Sequence, residues 1–218
     1  VAASIELLSN TWLVLAWSAV GAALTIVGDR ISEERLQLGA AGYIAVALAY
    51  TLGERAPPGE FFSANEDPAT GVPALLCSIA ALVVFVRFGL RKEPGKRYRL
   101  HVVAGAAVLA IYAVSLAILG AFPEFASASV ETDFQRGHSA VSAFWGVVGL
   151  ITLYVGLTRD LRTVRLAGFA LFGLALAKLF LYDLANLSSV TRALSFLAVG
   201  AVLLVAGFVY QRLTAAIR

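Results

Sequence analysis

This 218-residue chain has no methionine and one cysteine, and only 14% of its residues are charged. Each shortage excludes something. With no methionine and a start at Val1, the chain reads as a processed or truncated piece of something longer. The single cysteine, Cys77, lies within an apolar run. It rules out an internal disulfide and any cysteine-based metal motif, and it reads as a small buried residue. Low charge, 60% hydrophobic content and a mean hydropathy of +0.83 exclude an ordinary soluble domain, which is nearer half apolar and a quarter charged. The first residues lack the basic start and small-residue cleavage pattern of a signal peptide. No phosphate loop, nucleophile elbow, zinc motif or dinucleotide fingerprint occurs, so no cofactor and no metal are expected.

What is present is apolar length. Seven runs stand out, at about 11–28, 35–53, 72–90, 99–122, 138–157, 164–182 and 190–211. Each can cross a hydrocarbon core of roughly 30 Å as a helix rising 1.5 Å per residue. The expected fold is all-α: a polytopic transmembrane helical bundle of about seven spans, forming one domain over residues 1–218.

The connections alternate in character. Residues 29–35, 91–99 and 158–165 are short and basic, whereas 54–71 and 123–137 are longer and acidic. The basic side carries Arg30, Arg35, Arg87, Arg91, Lys92, Lys96, Arg97, Arg99, Arg159, Arg162, Arg165, Arg212 and Arg218, which is 13 of the 17 Lys and Arg residues. The positive-inside rule makes this side cytoplasmic, with the N-terminus outside and the C-terminus inside. The net charge of +3 is thus a topology signal, and no nucleic-acid partner is expected. Arg91, Lys92, Lys96, Arg97 and Arg99 form a cluster suited to anionic lipid headgroups. Arg87 is placed to snorkel toward the same interface.

An internal repeat runs through the chain. Trp17, Val20, Gly21, Val27 and Gly28 recur as Trp145, Val148, Gly149, Val155 and Gly156 at a constant offset of 128. Gly89 with Arg99-Leu100 fits the pattern more loosely, beside Gly28 with Arg35-Leu36 and Gly156 with Arg165-Leu166. The bundle is therefore read as three helical hairpins of like orientation plus a terminal helix.

Lys178, Asp183 and Arg192 are the candidate site residues. Lys178 falls inside an apolar span, where an ionisable group is costly and marks a functional hypothesis. Asp183 and Arg192 flank the following turn. The three read either as a polar clamp between the sixth and seventh spans or as a site for an anion or headgroup. His138 opens the fifth span near Glu131 and Asp133, which suggests an outer polar patch. Phe61, Phe62, Phe122, Phe125 and Phe134 read as interfacial anchors or a lid. Asn186-Leu187-Ser188 has the form of a glycosylation sequon but lies too close to the membrane to be used.

The run Trp145 … Gly149 … Gly156 … Arg165-Leu166-Ala167-Gly168, then Lys178-Leu179-Phe180-Leu181-Tyr182-Asp183-Leu184, then Arg192-Ala193-Leu194-Ser195-Phe196-Leu197 … Tyr210-Gln211-Arg212 resembles the C-terminal part of the bacterial multi-pass family called domain of unknown function 2339. The resemblance implies a bacterial inner-membrane protein, and it supplies no reaction. Three functions are consistent with these residues. The first is a non-catalytic accessory or scaffold subunit of an envelope assembly, with other membrane subunits as partners. The second is a transporter or flippase-like protein using Lys178, Asp183 and Arg192. The third is an enzyme on a lipid-linked envelope substrate, using outer acids such as Glu60, Asp67, Glu131 or Asp133.

The topology is checked by cysteine labelling. In a Cys77→Ser background, Gly59→Cys should react with an impermeant thiol reagent added to intact cells, and Lys96→Cys should react only after lysis. The opposite pattern would invert the topology.

Overall fold

A bilayer core offers no water to backbone polar groups, so spanning segments must bond internally as helices or closed barrels. The chain takes the helical solution. The computed structural model describes residues 2–62, 68–91, 95–125, 130–183, 197, 199–208 and 210. The helices are α1 (Ala2–Ile31), α2 (Glu34–Tyr50), α3 (Val72–Val84), α4 (Arg99–Phe125), α5 (Val130–Thr158), α6 (Arg162–Lys178) and α7 (Val199–Phe208). Five-residue π-helical turns extend α2 (Thr51–Arg55), α3 (Phe85–Gly89) and α6 (Leu179–Asp183). No strand occurs among the described residues. Among the described residues six helices are long and apolar enough to cross a membrane: Thr11–Ile31, Glu34–Arg55, Pro68–Gly89, Gly95–Ala121, Gln135–Thr158 and Arg162–Leu181. The seventh apolar run is described over Val199–Phe208, a shorter apolar helix.

Packing follows membrane rules. Lipid tails are as apolar as leucine, so large side chains can face outward while small ones let helices approach. Accordingly Leu38 and Leu181 are 74% and 80% exposed, while Ala40, Ala47, Ala74, Ala81, Ala113 and Ala175 are buried.

The chain divides into two compact units, Val1–Val130 and Glu131–Arg218. In the first, α1 packs on α2 and α3, and α3 packs on α4. Ile44, Ala81 and Leu82 form a core cluster flanked by Leu48, Phe85, Val102, Ala106 and Leu109. At the end away from the basic turns, the Thr51 hydroxyl donates to Ala47 O at 2.7 Å and lies 3.1 Å from Ser78 Oγ. The Tyr112 hydroxyl binds Ala56 O and Pro57 O at 3.1 and 3.0 Å. In the second unit α5 and α6 form a hairpin, and Phe169 of α6 meets Tyr210 edge to face at 6.4 Å between ring centres.

The offset of 128 is built into the backbone. Ser32 and Asp160, which are 128 residues apart, both adopt left-handed φ values, 58° and 50°. In each turn the next N–H closes back on the glycine carbonyl: Glu33 N to Gly28 O at 3.1 Å, and Leu161 N to Gly156 O at 2.9 Å. This left-handed closure satisfies helix-end carbonyls. After the turn α2 and α6 each run 17 residues, and each passes into a π-helical turn. Their buried residues correspond one for one: Ala40, Ile44 and Ala47 against Gly168, Phe172 and Ala175. The register holds straight through the turn, so Arg165 corresponds to Gln37, two positions on from the Arg35 that the Arg-Leu motif suggests. The middle hairpin keeps the helix–turn–helix plan through a different turn. There Gly89 packs against Gln37 of α2, where an added Cβ would lie 2.6 Å from Gln37 Oε1.

The two repeated hairpins differ in closeness. A Cβ on Gly21 would meet the Ile44 side chain at 2.7 Å. A Cβ on Gly149 would meet backbone, Phe172 N at 2.8 Å and Cα at 3.0 Å. Gly168, where the first hairpin has Ala40, lets the α5 backbone come in: its Cβ would lie 2.7 Å from Leu153 Cα. Flexible side chains can yield to an added methyl, but packed backbone cannot. Gly149→Val and Gly168→Val should each destabilise by about 1–3 kcal/mol through overpacking, whereas Gly173→Ala, with open space around it, should be neutral or stabilising by up to about 1 kcal/mol. Thermal unfolding in lipid nanodiscs reads both.

Candidate functional site

The buried stripe of α6 runs Gly168, Phe172, Ala175 at steps of four and three. Lys178 is the next residue on that stripe, three further on, so the α6 geometry aims it at α5. Its ammonium donates to His138 O at 3.0 Å and to Ser142 Oγ at 2.8 Å. Ser142 Oγ in turn donates to His138 O at 3.1 Å. His138 and Ser142 are 1% and 2% exposed, and Lys178 is half-buried. Three polar groups thus meet at the end of the α5–α6 hairpin opposite its basic turn.

The first hairpin shows what this slot holds without a cation. Tyr50 stands where Lys178 stands in the repeat, and its ring meets Trp17 edge to face at 5.7 Å. Val14 occupies the position of Ser142 and is fully buried. An aromatic and aliphatic contact in one copy is a cation on a hydroxyl and a carbonyl in the other.

The arrangement explains how an ammonium is tolerated there. A charge inside a span needs partners or a route to the interface. Lys178 has three donors, and two go to acceptors on α5. The carbonyl of a helical residue can accept beyond its helix bond, and His138 O shares that capacity between the Lys178 ammonium and the Ser142 hydroxyl. The result is a brace between α5 and α6, with a fixed positive charge at one end of the hairpin.

The other expected residues are placed as follows. Asp183 ends the π-helical turn Leu179–Asp183, and its side chain lies outside the described residues, as does all of Arg192. The expected clamp from Lys178 to those two therefore falls outside the description, while the α5 partners are seen. Of the basic cluster, Arg91, Lys96, Arg97 and Arg99 are exposed, and Lys92 lies outside the described residues. Arg87 is exposed with its guanidinium 5.4 Å from the Phe88 ring centre. His138 is buried in α5 rather than displayed in a surface patch. Phe61 is buried and stacks edge to face on exposed Phe62 at 5.2 Å, and the side chains of Phe122, Phe125 and Phe134 are outside the described residues. Cys77 is a half-buried free thiol. Among the described residues no group of three His, Cys, Asp or Glu side chains could hold a metal.

Ser142 and the His138 carbonyl are the partners that sequence reasoning missed. The available signal was spacing, since Ser142 lies one helical turn after His138 at the depth of Lys178.

A family model described as "Predicted membrane protein (DUF2339)" matches residues 71–213. That range runs from the start of α3 past α7 and includes Lys178, His138 and Ser142. No curated protein and no solved structure matches the chain.

Hydrogen bonds to charged groups contribute about 1.5–3 kcal/mol in soluble proteins, but side-chain bonds between membrane helices average nearer 0.6 kcal/mol. The membrane figure governs here, because a freed Lys178 can find other partners in the unfolded membrane-embedded state. Ser142→Ala should therefore cost about 0.5–1.5 kcal/mol. Combined with Lys178→Met in a double-mutant cycle, the losses should be clearly non-additive. Additive losses would mean that the two side chains do not interact.

Proposed function

Because the chain belongs to the DUF2339 family of predicted membrane proteins, we propose that it is a non-catalytic accessory or scaffold subunit of a bacterial envelope assembly. It acts in the cytoplasmic membrane, with the N-terminus outside and the C-terminus inside. One observation carries the reading: Lys178, the most conspicuous ionisable group in a span, donates to the α5 backbone and to Ser142. Two of its three donors serve helix-to-helix geometry. The glycine-seated turns support the same reading, since they hold each hairpin at a fixed separation. Such rigid hairpins with broad apolar outer faces are suited to docking against other spans as well as lipid. The cluster Arg91, Lys92, Lys96, Arg97 and Arg99 would hold anionic headgroups at the cytoplasmic face, at about 1 kcal/mol per well-placed cation.

A second reading is a transporter or flippase-like protein in which Lys178, with Asp183 and Arg192, receives an anion. It is favoured by the slot comparison: an aromatic pair fills the equivalent position in the first hairpin, and a cation replaces it here.

The two readings separate on one variant set. On the scaffold reading, the tagged protein copurifies with a fixed membrane partner from native membranes. Lys178→Met should then lower thermal stability and partner recovery together, and a stabilising Gly173→Ala should restore both. A variant that stays fully folded and partnered yet abolishes the cellular phenotype would sink the scaffold reading and favour transport.

A further inference from the structure

The first unit contains a feature that the brace in the second does not use. A cavity of about 480 Å³ opens between α2 and α4, over the π-helical turn that ends α3. Phe85 and Val102, both beside the core cluster, line it, with Leu38 and Ala41 on the α2 side. This apolar lining meets a different chemistry at one end, where Asp29, Glu33 and Glu34 contribute.

Three features set what the cavity can hold. The first is depth. Its walls come from the last turns of α1 and α3 and the first turns of α2 and α4. These are span ends on one side, the level at which lipid headgroups lie. The second is charge. Three carboxylates, Asp29, Glu33 and Glu34, line one end. Gln37 adds an amide oxygen that is buried without a hydrogen-bond partner among the described residues. This end of the cavity is rich in acceptors and negative. The third is the rim. Gly95 and Tyr98 line the cavity, and they bound the 3₁₀ turn that carries exposed Lys96 and Arg97. Carboxylates and cations together at the headgroup end of an apolar cavity match a zwitterion that carries an acyl chain.

We propose that this cavity binds an ammonium-bearing phospholipid of the phosphatidylethanolamine type, its ammonium against Asp29, Glu33 and Glu34, its phosphate toward Lys96 and Arg97, and its acyl chain along Leu38, Ala41 and Val102. The ammonium supplies N–H donors to the three carboxylates, which only accept when ionised. The phosphate meets the two cations, whereas a lipid without the ammonium would leave the three carboxylates unpaired beside its own negative charge. The chain runs down toward the apolar cluster between α2, α3 and α4. This holds for either orientation of the protein in the membrane and does not rest on the scaffold reading.

The test is native mass spectrometry of the purified full chain in detergent, titrated with dioleoylphosphatidylethanolamine or dioleoylphosphatidylglycerol. The wild type should retain the ethanolamine lipid in preference. Glu33→Gln with Glu34→Gln, both exposed positions, should weaken that retention about tenfold and leave the glycerol lipid unchanged or better held. Ala41→Phe, which fills the cavity, should also reduce retention of the ethanolamine lipid, with circular dichroism confirming the fold. Equal retention of the two lipids by the wild type overturns the proposal. So does a double variant that holds the ethanolamine lipid as the wild type does, or the absence of any lipid adduct.

Discussion

Close backbone approach at glycine is the constraint on which the rest of this structure depends. In lipid, helices gain little from hiding apolar surface from each other. They associate where backbones can touch, and Gly28, Gly149, Gly156 and Gly168 mark those places. The tight turns follow from the same need. A helix pair this close must reverse within a few residues, and the left-handed Ser32 and Asp160 achieve that reversal. Neither is glycine, so each turn keeps a strained residue to hold its geometry.

Once that hairpin is fixed, the position opposite the end of its first helix is fixed too. In one copy the slot holds Tyr50 on Trp17, and in the other Lys178 on His138 and Ser142. The same backbone thus supports two chemistries. The second is accessible because α5 supplies a carbonyl that accepts beyond its helix bond and a hydroxyl one turn later. The closer helix approach in the second copy, with Gly168 in place of Ala40, shortens the span that the lysine stem has to cover.

Part of the polar chemistry among the described residues lies at helix ends. Lys178 closes α6, Thr51 and Ser78 meet where α2 passes into its π-helical turn, and the acidic cavity sits where four helices begin or finish. Helix ends leave backbone groups unpaired, and in a membrane they lie near the water and headgroups that can satisfy them.

Much of this was legible in the residues. Apolar run length set the helical membrane class and about seven expected spans, six of which are long helices among the described residues, because a bilayer fixes how many residues a span needs. The Trp and Gly matches at offset 128 gave the repeat, since close packing tolerates few other side chains at those points. Lys178 stood out because a charge in an apolar run has few innocuous explanations. What the tertiary structure decided was which groups these residues meet. Every residue carries a carbonyl, so nothing in the letters marks His138 O as an acceptor for Lys178. The correspondence of Gln37 with Arg165, the different turn of the middle hairpin and the cavity between α2 and α4 likewise depend on how helices distant in sequence come together. Length and polarity are properties of the chain itself, whereas partners are set by the packing of helices against one another.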